Sequence, residues 1–424
     1  MPAARIGIVA IMSAVPTRTL SRVDQGPVQR RNYALHLLGG GALFVALQFG
    51  SMRLVIPWID GHLGVPYILV ALVVPLLQFG LITAQLGVAP LISRVALRRR
   101  PVVGLGLVLA AALLAIIGVA VSLPPEVAGV ALLSCVLCFA ISHGAFNVGY
   151  DDLLAKTVAE ASRGRLVAHR AALGGALTLL VSFAVLLFLP RAQGNEVMLL
   201  WLAVAGWLGV ILAYAGLSEP PSRSIRKPIT LTELSRGFRL IGNHPWFRRL
   251  LVGRALLLSV ELAIPFYAIH AATLHDPTAQ NLTVFVVASG IGVISGGFLW
   301  AGRSNCARMV GGAQCALVAG ALTFVIDAVE DWQIPYFHAL VFTLLTLGEQ
   351  GTIQGETTYM MDHAPAEDRP ALIATGNALM WTLAIAVALL LGAAGHLHDI
   401  RTPLAMLMAF NVAAMLYVLA KLRD

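Results

Sequence analysis

The sequence predicts an all-α membrane protein of about twelve transmembrane helices, built as two six-helix pseudo-symmetric halves. Composition, the lengths of the apolar runs and an internal repeat carry that expectation. Of 424 residues, 58% are hydrophobic and 12% charged, against roughly 25% charged in soluble domains. Mean hydropathy is +0.83, and a soluble chain this apolar could not cover its own surface. The apolar residues fall in runs of about 20, the length at which a helix crosses about 30 Å of hydrocarbon with its backbone satisfied. The 40 glycines and 21 prolines suit close-packed, locally broken membrane helices.

Hydropathy and punctuation place the first six spans near 34–57, 66–92, 101–122, 127–150, 166–189 and 196–217. The second six fall near 249–271, 280–301, 307–327, 334–358, 371–394 and 402–420. The domains are then an N-terminal tail (1–33), an N-terminal half (34–217), a linker (218–248) and a C-terminal half (249–424). Arginine marks the loops on one side: Arg30, Arg31, Arg94, Arg98 to Arg100, Lys156, Arg163, Arg165, the group from Arg223 to Arg249, Arg303, Arg308 and Arg369. The opposite loops carry Asp60, Glu126, Asp327, Glu330, Asp331 and Asp399, with Arg191 and Arg401 as their cations. The positive-inside rule puts both termini in the cytoplasm and the protein in a bacterial inner membrane. The net charge of +8 is therefore a topology signal, and no nucleic-acid partner is expected.

Arg5 followed by an apolar stretch to Ala14 faintly resembles a signal peptide. Cleavage there would leave Arg30 and Arg31 outside, so a short cytoplasmic tail, or a start at Met12, is expected instead. In the linker, Pro220, Pro221 and Pro228 stop the sixth span, and Thr230 with Glu233 reads as a capping box. Leu231, Leu234, Phe238 and Ile241 then share one face, with Arg236 and Arg239 around the other. That describes an amphipathic helix on the cytoplasmic membrane surface, or a solvated spacer.

The two sides of the linker match. Ser51, Leu54, Ile56, Pro57 and Trp58 recur as Ser259, Leu262, Ile264, Pro265 and Phe266, at an offset of 208 that also sets Arg53 against Glu261. Arg94 and Arg303 are 209 apart, as are Arg99 and Arg308, and Ala159-Glu160 precedes Ala366-Glu367 by 207. Same-orientation halves of six spans imply a parallel repeat about an axis along the membrane normal.

With these spans, this central loop and this repeat, the chain resembles the major facilitator superfamily over nearly its whole length. The loop from Asp151 and Asp152 through Arg163-Gly164-Arg165 is similar to the fourth-to-fifth loop of many bacterial members, as is Met361-Asp362 to Arg369-Pro370 in the second half. Within the superfamily the resemblance is to a bacterial subgroup whose substrates are mostly unassigned. Its second-loop motif normally carries an aspartate, which the stretch from Gly87 to Arg100 lacks; the second copy keeps Gly302-Arg303 and also lacks an acid. Coupling through that motif should differ here. Gly174-Gly175 in the fifth span is not the Gly-Pro of the drug–proton antiporters.

A charge within a membrane costs about 2.5–3.5 kcal/mol on insertion scales and needs a reason. The repeat puts Arg53 and Glu261 at one depth, which suggests an ion pair closing an external gate. The alternative has Arg53 snorkelling to headgroups and Glu261 pairing with Arg254; a third has both charges meeting substrate or proton. In the tenth span Glu349, Thr352 and Glu356 share a face, with Gln350, Gln354 and Thr357 beside it. Such a stripe faces the interior. Glu349, nearest mid-membrane, is the candidate for proton coupling because desolvation pushes a carboxyl toward neutrality; Glu356 lies nearer the cytoplasmic rim. His143 and Asn147 in the fourth span could line the facing wall, or His143 could be a packing residue. Gln48, Gln78 and Gln85 are further candidates. Cys135 and Cys138 in their apolar helix read as packing thiols, and His396, His398 and Asp399 as solvated loop groups. No metal or cofactor is expected.

The sequence lacks G-x-S-x-G, H-E-x-x-H and G-x-x-x-x-G-K-[ST], which argues against an enzyme or an ATP-driven pump. The expected function is secondary transport of a small solute by alternating access, with the proton as candidate coupling ion, by a monomer bedded in lipid. The alternative is a non-transporting protein of the same fold that delivers a pigment, lipid or assembly partner.

Overall fold

The computed structural model describes residues 26–221, 231–365 and 367–422. Every regular element among them is a helix. The first span is two helices, α1 (Pro27–Phe49) and α2 (Val55–Leu63). The second is α3 (Tyr67–Ala71), α4 (Val73–Thr83), a π-helical turn (Ala84–Val88) and α5 (Ala89–Arg94). Then come α6 (Arg99–Ser122), α7 (Pro125–Thr157), α8 (Glu160–Phe188) and α9 (Met198–Ala215). The linker forms α10 (Leu231–Asn243). The second half holds α11 (Pro245–Glu261) and α12 (Ala263–Leu274) as one broken span, then α13 (Ala279–Leu299) and α14 (Asn305–Ala328). After a 3-10 turn (Glu330–Trp332) follow α15 (Pro335–His363), α16 (Arg369–Leu397) and α17 (Arg401–Lys421).

Among the described residues, nine helices are long and apolar enough to cross a membrane. The first span (α1 and α2), the second (α3 to α5) and the tenth (α15) complete the twelve. The first two are interrupted and the tenth is polar, so length and apolarity alone pass over them. Small residues let the helices approach. A Cβ on Gly348 of α15 would lie 2.5 Å from the carbonyl oxygen of Gly312 on α14, and a Cβ on Gly312 as close to that of Gly348, so only glycine permits this crossing.

The first span departs from expectation at both ends. Helix starts at Pro27, inside the stretch assigned to the tail, and continues to Leu63. Asp60, expected in a loop, is buried within α2. The helix passes the break that stopped the hydropathy run and re-forms beyond it. Residues 1–25, Thr230 of the capping box and the side chains of the first turn of α10 lie outside the described residues. Farther along α10, Gly237 seats against Thr375 and Ala371 of α16. Arg236 holds Asp368 at 2.5 Å, while Phe238 and Arg239 are exposed.

The halves pack on one another mainly from mid-depth to the arginine-poor end, α2 on α12, α3 on α16 and α8 on α13. Gly61 approaches Ala272 and Ile269 there, and Trp58 packs edge-on against Phe285. The connections close over this end. Gly194 donates to the Pro277 carbonyl at 2.8 Å, Ala279 N–H to Asn195 at 2.6 Å, and Gln280 to the Leu189 carbonyl at 2.7 Å.

Candidate functional site

Proline cannot donate to the carbonyl four residues before it. Pro265 thereby frees the carbonyl of Glu261, where α11 gives way to α12, as Pro57 frees that of Arg53, between α1 and α2. The repeated serine-to-proline segment is thus a repeated helix break, and Arg53 uses both its own break and its partner's. One terminal nitrogen of its guanidinium binds the Glu349 carboxylate of α15, and the other donates to the freed main-chain carbonyl of Glu261. Arg53 is 23% exposed and Glu349 9%. The Arg53 Nε is buried without a partner among the described residues.

The expected gate set Arg53 against Glu261; the ion pair seen between the halves is Arg53–Glu349, with the charge of Glu261 also acting on Arg53. Glu349 stands at the middle of the 29-residue α15, so the contact is in the membrane's interior. Arg254, the alternative partner offered for Glu261, pairs with Glu356 at 3.0 Å and reaches Asn377 at 3.3 Å. Sequence separation misled here: the strongest acceptors for both arginines lie on one face of α15. Glu349 and Glu356, seven residues apart, are about 10 Å apart along the axis at 1.5 Å per residue. The result is two stacked ion-paired layers, the second nearer the arginine-rich end. Gln48 adds another bond between the halves, donating to the Val286 carbonyl of α13 at 2.7 Å.

The other candidates separate. Gln350 lies against Gly296 of α13, within its own half, and Gln354 is buried. His143 is 3.5 Å from Asn147 and stacks on Phe139, with Trp207 edge-on, so its contacts are packing contacts inside the first half. The side chain of Gln85 lies outside the described residues. Cys135, Cys138, Cys306 and Cys315 form no disulfide among the described residues. Among the described residues no three His, Cys, Asp or Glu are grouped to hold a metal.

At the arginine-rich end the loop residues act as helix anchors. Arg98 pairs with Asp152 of α7 at 2.5 Å, both buried. Glu219 accepts the N–H groups of Arg98 and Arg99 at 2.7 and 2.8 Å, capping α6, and receives Lys156 at 3.4 Å. Asp152 and Glu219 therefore supply the acid missing from the second-loop motif. Arg163 donates to the carbonyls of Ala155 and Val158, eight and five residues back, at the end of α7. Arg369 does the same with Met361 and Ala364 at the end of α15. Identical spacing in both halves makes this the repeat's most literal trace. Asp362 accepts from Asn305 at 2.8 Å, Arg303 donates to the Leu299 carbonyl at 3.0 Å, and Arg94 and Arg165 are exposed.

The arginine-poor end holds a cluster that sequence reasoning missed. His275 contacts His338 at 2.9 Å, His338 contacts His270 at 3.4 Å, and His270 contacts Asp327 at 3.2 Å. Asp327 also takes Arg401 at 2.6 Å. One tautomer, with each proton on Nε2, satisfies all three histidine contacts. Burial, reinforced by His270, lowers the pKa of His275 to about 4. Across the interface His62 faces the Trp58 and His275 carbonyls, each at 3.0 Å. Four histidines distributed over three segments give no local pattern; only His338, buried at the start of the tenth span, could have drawn attention. Arg170 was missed too. It is buried in the fifth span, donates to the Tyr150 hydroxyl and lies over that ring.

Twelve spans in two repeated halves, with charges paired across their interface, define a polytopic membrane transporter. Residues 38–389 match the sequence profile of the Major Facilitator Superfamily. The chain belongs to that family. Uncharacterized proteins of Mycobacterium tuberculosis (strain H37Rv) and Mycobacterium bovis are each 26% identical over 412 residues, spanning 94% of this chain and 78% of theirs. Among solved structures, a mutant of the nucleoside transporter NupG aligns with a TM-score of 0.67 at 12% identity, covering 93% of this chain and 100% of that one. The peptide transporter POT in complex with sulfate aligns at 0.62 and 14% identity, covering 99% and 97%. These similarities concern the fold.

Proposed function

We propose that the protein is a secondary active transporter that moves a small solute across a bacterial inner membrane by alternating access, with its arginine-rich end and both termini in the cytoplasm. The observation that carries this reading is the Arg53–Glu349 contact, an ion pair between the halves at mid-membrane. Two charges kept at that depth need a role, and this pair joins the two parts whose relative movement opens a central site. Packing from the pair to the arginine-poor end supports a state closed on the outside. The unpartnered Arg53 Nε is a donor available to a solute's acceptor group. Glu349 is bound to Arg53, so a proton or solute that competes for either partner would loosen the contact. Coupling and transport then act at one place.

The test is a thermal-shift screen of purified protein against metabolites and drugs at two pH values, followed by uptake of each stabilising compound into proteoliposomes. The proposal expects a stabilising compound that enters vesicles saturably, and enters at least tenfold more slowly with Glu349→Gln. Stabilisation without uptake, or no stabilisation by any compound, would overturn it in favour of a delivery or assembly role.

A further inference from the structure

His62 lies at the arginine-poor end of α2, half-buried where the first half meets the second. Its Nδ1 is 3.0 Å from the main-chain carbonyl of Trp58, and its Nε2 is 3.0 Å from that of His275. A carbonyl oxygen only accepts, so each nitrogen must carry a proton to bond. A neutral imidazole has one N–H whichever tautomer it adopts; the imidazolium has two. In the neutral form one nitrogen lone pair would face an oxygen lone pair at hydrogen-bond distance. The geometry thus fits the protonated ring.

The Trp58 carbonyl belongs to His62's own helix, but the His275 carbonyl follows α12 in the other half. One of the two bonds therefore crosses the seam that must part for the outer end to open. From this arrangement we infer that His62 is a proton-binding site whose charged form latches the two halves together at the arginine-poor end. The inference rests on the alternating-access reading and specifies what holds that end shut.

The surrounding charges are consistent with it. On its own helix His62 has Asp60, buried two residues earlier. From the segment before α9 comes Glu196, buried, with Oε2 lacking a partner among the described residues. Burial raises the pKa of Glu196 while the charge of His62 opposes that rise, so the two groups act on each other. After α12 come His275 and Asp276, the latter tied to Gln193 of the first half at 3.2 Å. Helix α13, which packs beside them, carries no charged residue. Behind His275 runs the His338–His270–Asp327–Arg401 chain. It anchors the His275 ring from the second half and leaves its carbonyl for His62. The proton comes from water at the arginine-poor face and returns there, so the latch moves no proton across the membrane. Closure and protonation favour each other, as any two-state equilibrium with differential binding requires. The neutral ring keeps one bond and gains a repulsion, and the seam loosens.

The experiment follows the distance between Ala192→Cys and Asp331→Cys, spin-labelled in full-length protein whose four native cysteines have been replaced, in proteoliposomes from pH about 5 to 8, the range in which histidine titrates. Expected is a closed-to-open ratio that falls roughly tenfold as pH rises, the worth of one charge-assisted hydrogen bond. His62→Gln, which keeps a donor for the His275 carbonyl but no titrating group, should abolish that pH dependence. His62→Arg should hold the closed distance throughout. A wild-type distribution that opens but ignores pH, or an unchanged pH profile in His62→Gln, would overturn the latch. Outer ends that never part under any condition would instead refute alternating access, so the two failures are distinct.

Discussion

Arg53 holds Glu349 through a terminal guanidinium nitrogen and the main-chain carbonyl of Glu261 through the other. A side chain of the first half thus spans both a helix break and an ion pair in the second. Pro265 creates that carbonyl vacancy by removing the helical donor, and α15 supplies the carboxylate.

The two acidic residues should therefore differ. Glu349→Gln removes the anion of a largely dry pair, and breaking such a pair costs about 3–5 kcal/mol, with the 23% exposure of Arg53 favouring the lower value. Glu261→Gln keeps the carbonyl that Arg53 uses. Thermal unfolding in detergent should show a much larger loss for Glu349→Gln than for Glu261→Gln. Equal losses would mean that the carboxylate of Glu261 matters as much as its backbone.

Pro265→Ala restores a donor for the Glu261 carbonyl and sets the helix in competition with Arg53. Uptake should fall severalfold while thermal stability is maintained or rises, since a net backbone hydrogen bond contributes about 1 kcal/mol. Unchanged uptake would show that the break has no part in transport.

Arg98 and Asp152 form a buried ion pair, 0% and 4% exposed. Asp152→Asn strands a buried guanidinium, so a loss of about 3–5 kcal/mol is expected, read as a lower midpoint of thermal unfolding. A wild-type midpoint would remove Asp152 from the role of the missing motif acid.

His275 gives a pH dependence of stability with a definite sign. Its pKa is lowered from 6.5 to about 4 by burial, so between these values the unfolded chain binds more protons than the folded one. Its contribution is fully present above pH about 6.5 and is lost as pH falls toward about 4. Melting curves across that window should decline in the wild type and decline less in His275→Gln. Parallel curves would contradict the assignment.

Much of the fold was legible because it rests on local physics. Apolar runs, arginine asymmetry and the Pro57/Pro265 repeat follow from what lipid demands of each segment. The family profile and the twelve spans agree with that reading. The site was legible only in part. Arg53, Glu349, Arg254 and Glu356 stood out as membrane charges, yet their pairing depends on how α15 is rotated against two other helices, which no spacing along the chain encodes. Repeat symmetry pointed Arg53 at Glu261, whose backbone carbonyl it binds, but gave no sign of the Glu349 carboxylate beside it. The histidine cluster was invisible for the same reason: His270, His275 and His338 meet through the packing of α12 on α15, and His62 joins them only across the seam between the halves.

The central claim is that Arg53 and Glu349 form the interior contact on which transport turns. Its most direct test is uptake of the stabilising solute into proteoliposomes by Arg53→Glu, Glu349→Arg and the two combined. Each single variant should lose at least tenfold in rate, and the exchanged pair should recover a substantial fraction of it. If the double variant is as inactive as the singles while folded, or either single transports at the wild-type rate, the contact is not the one that couples the halves.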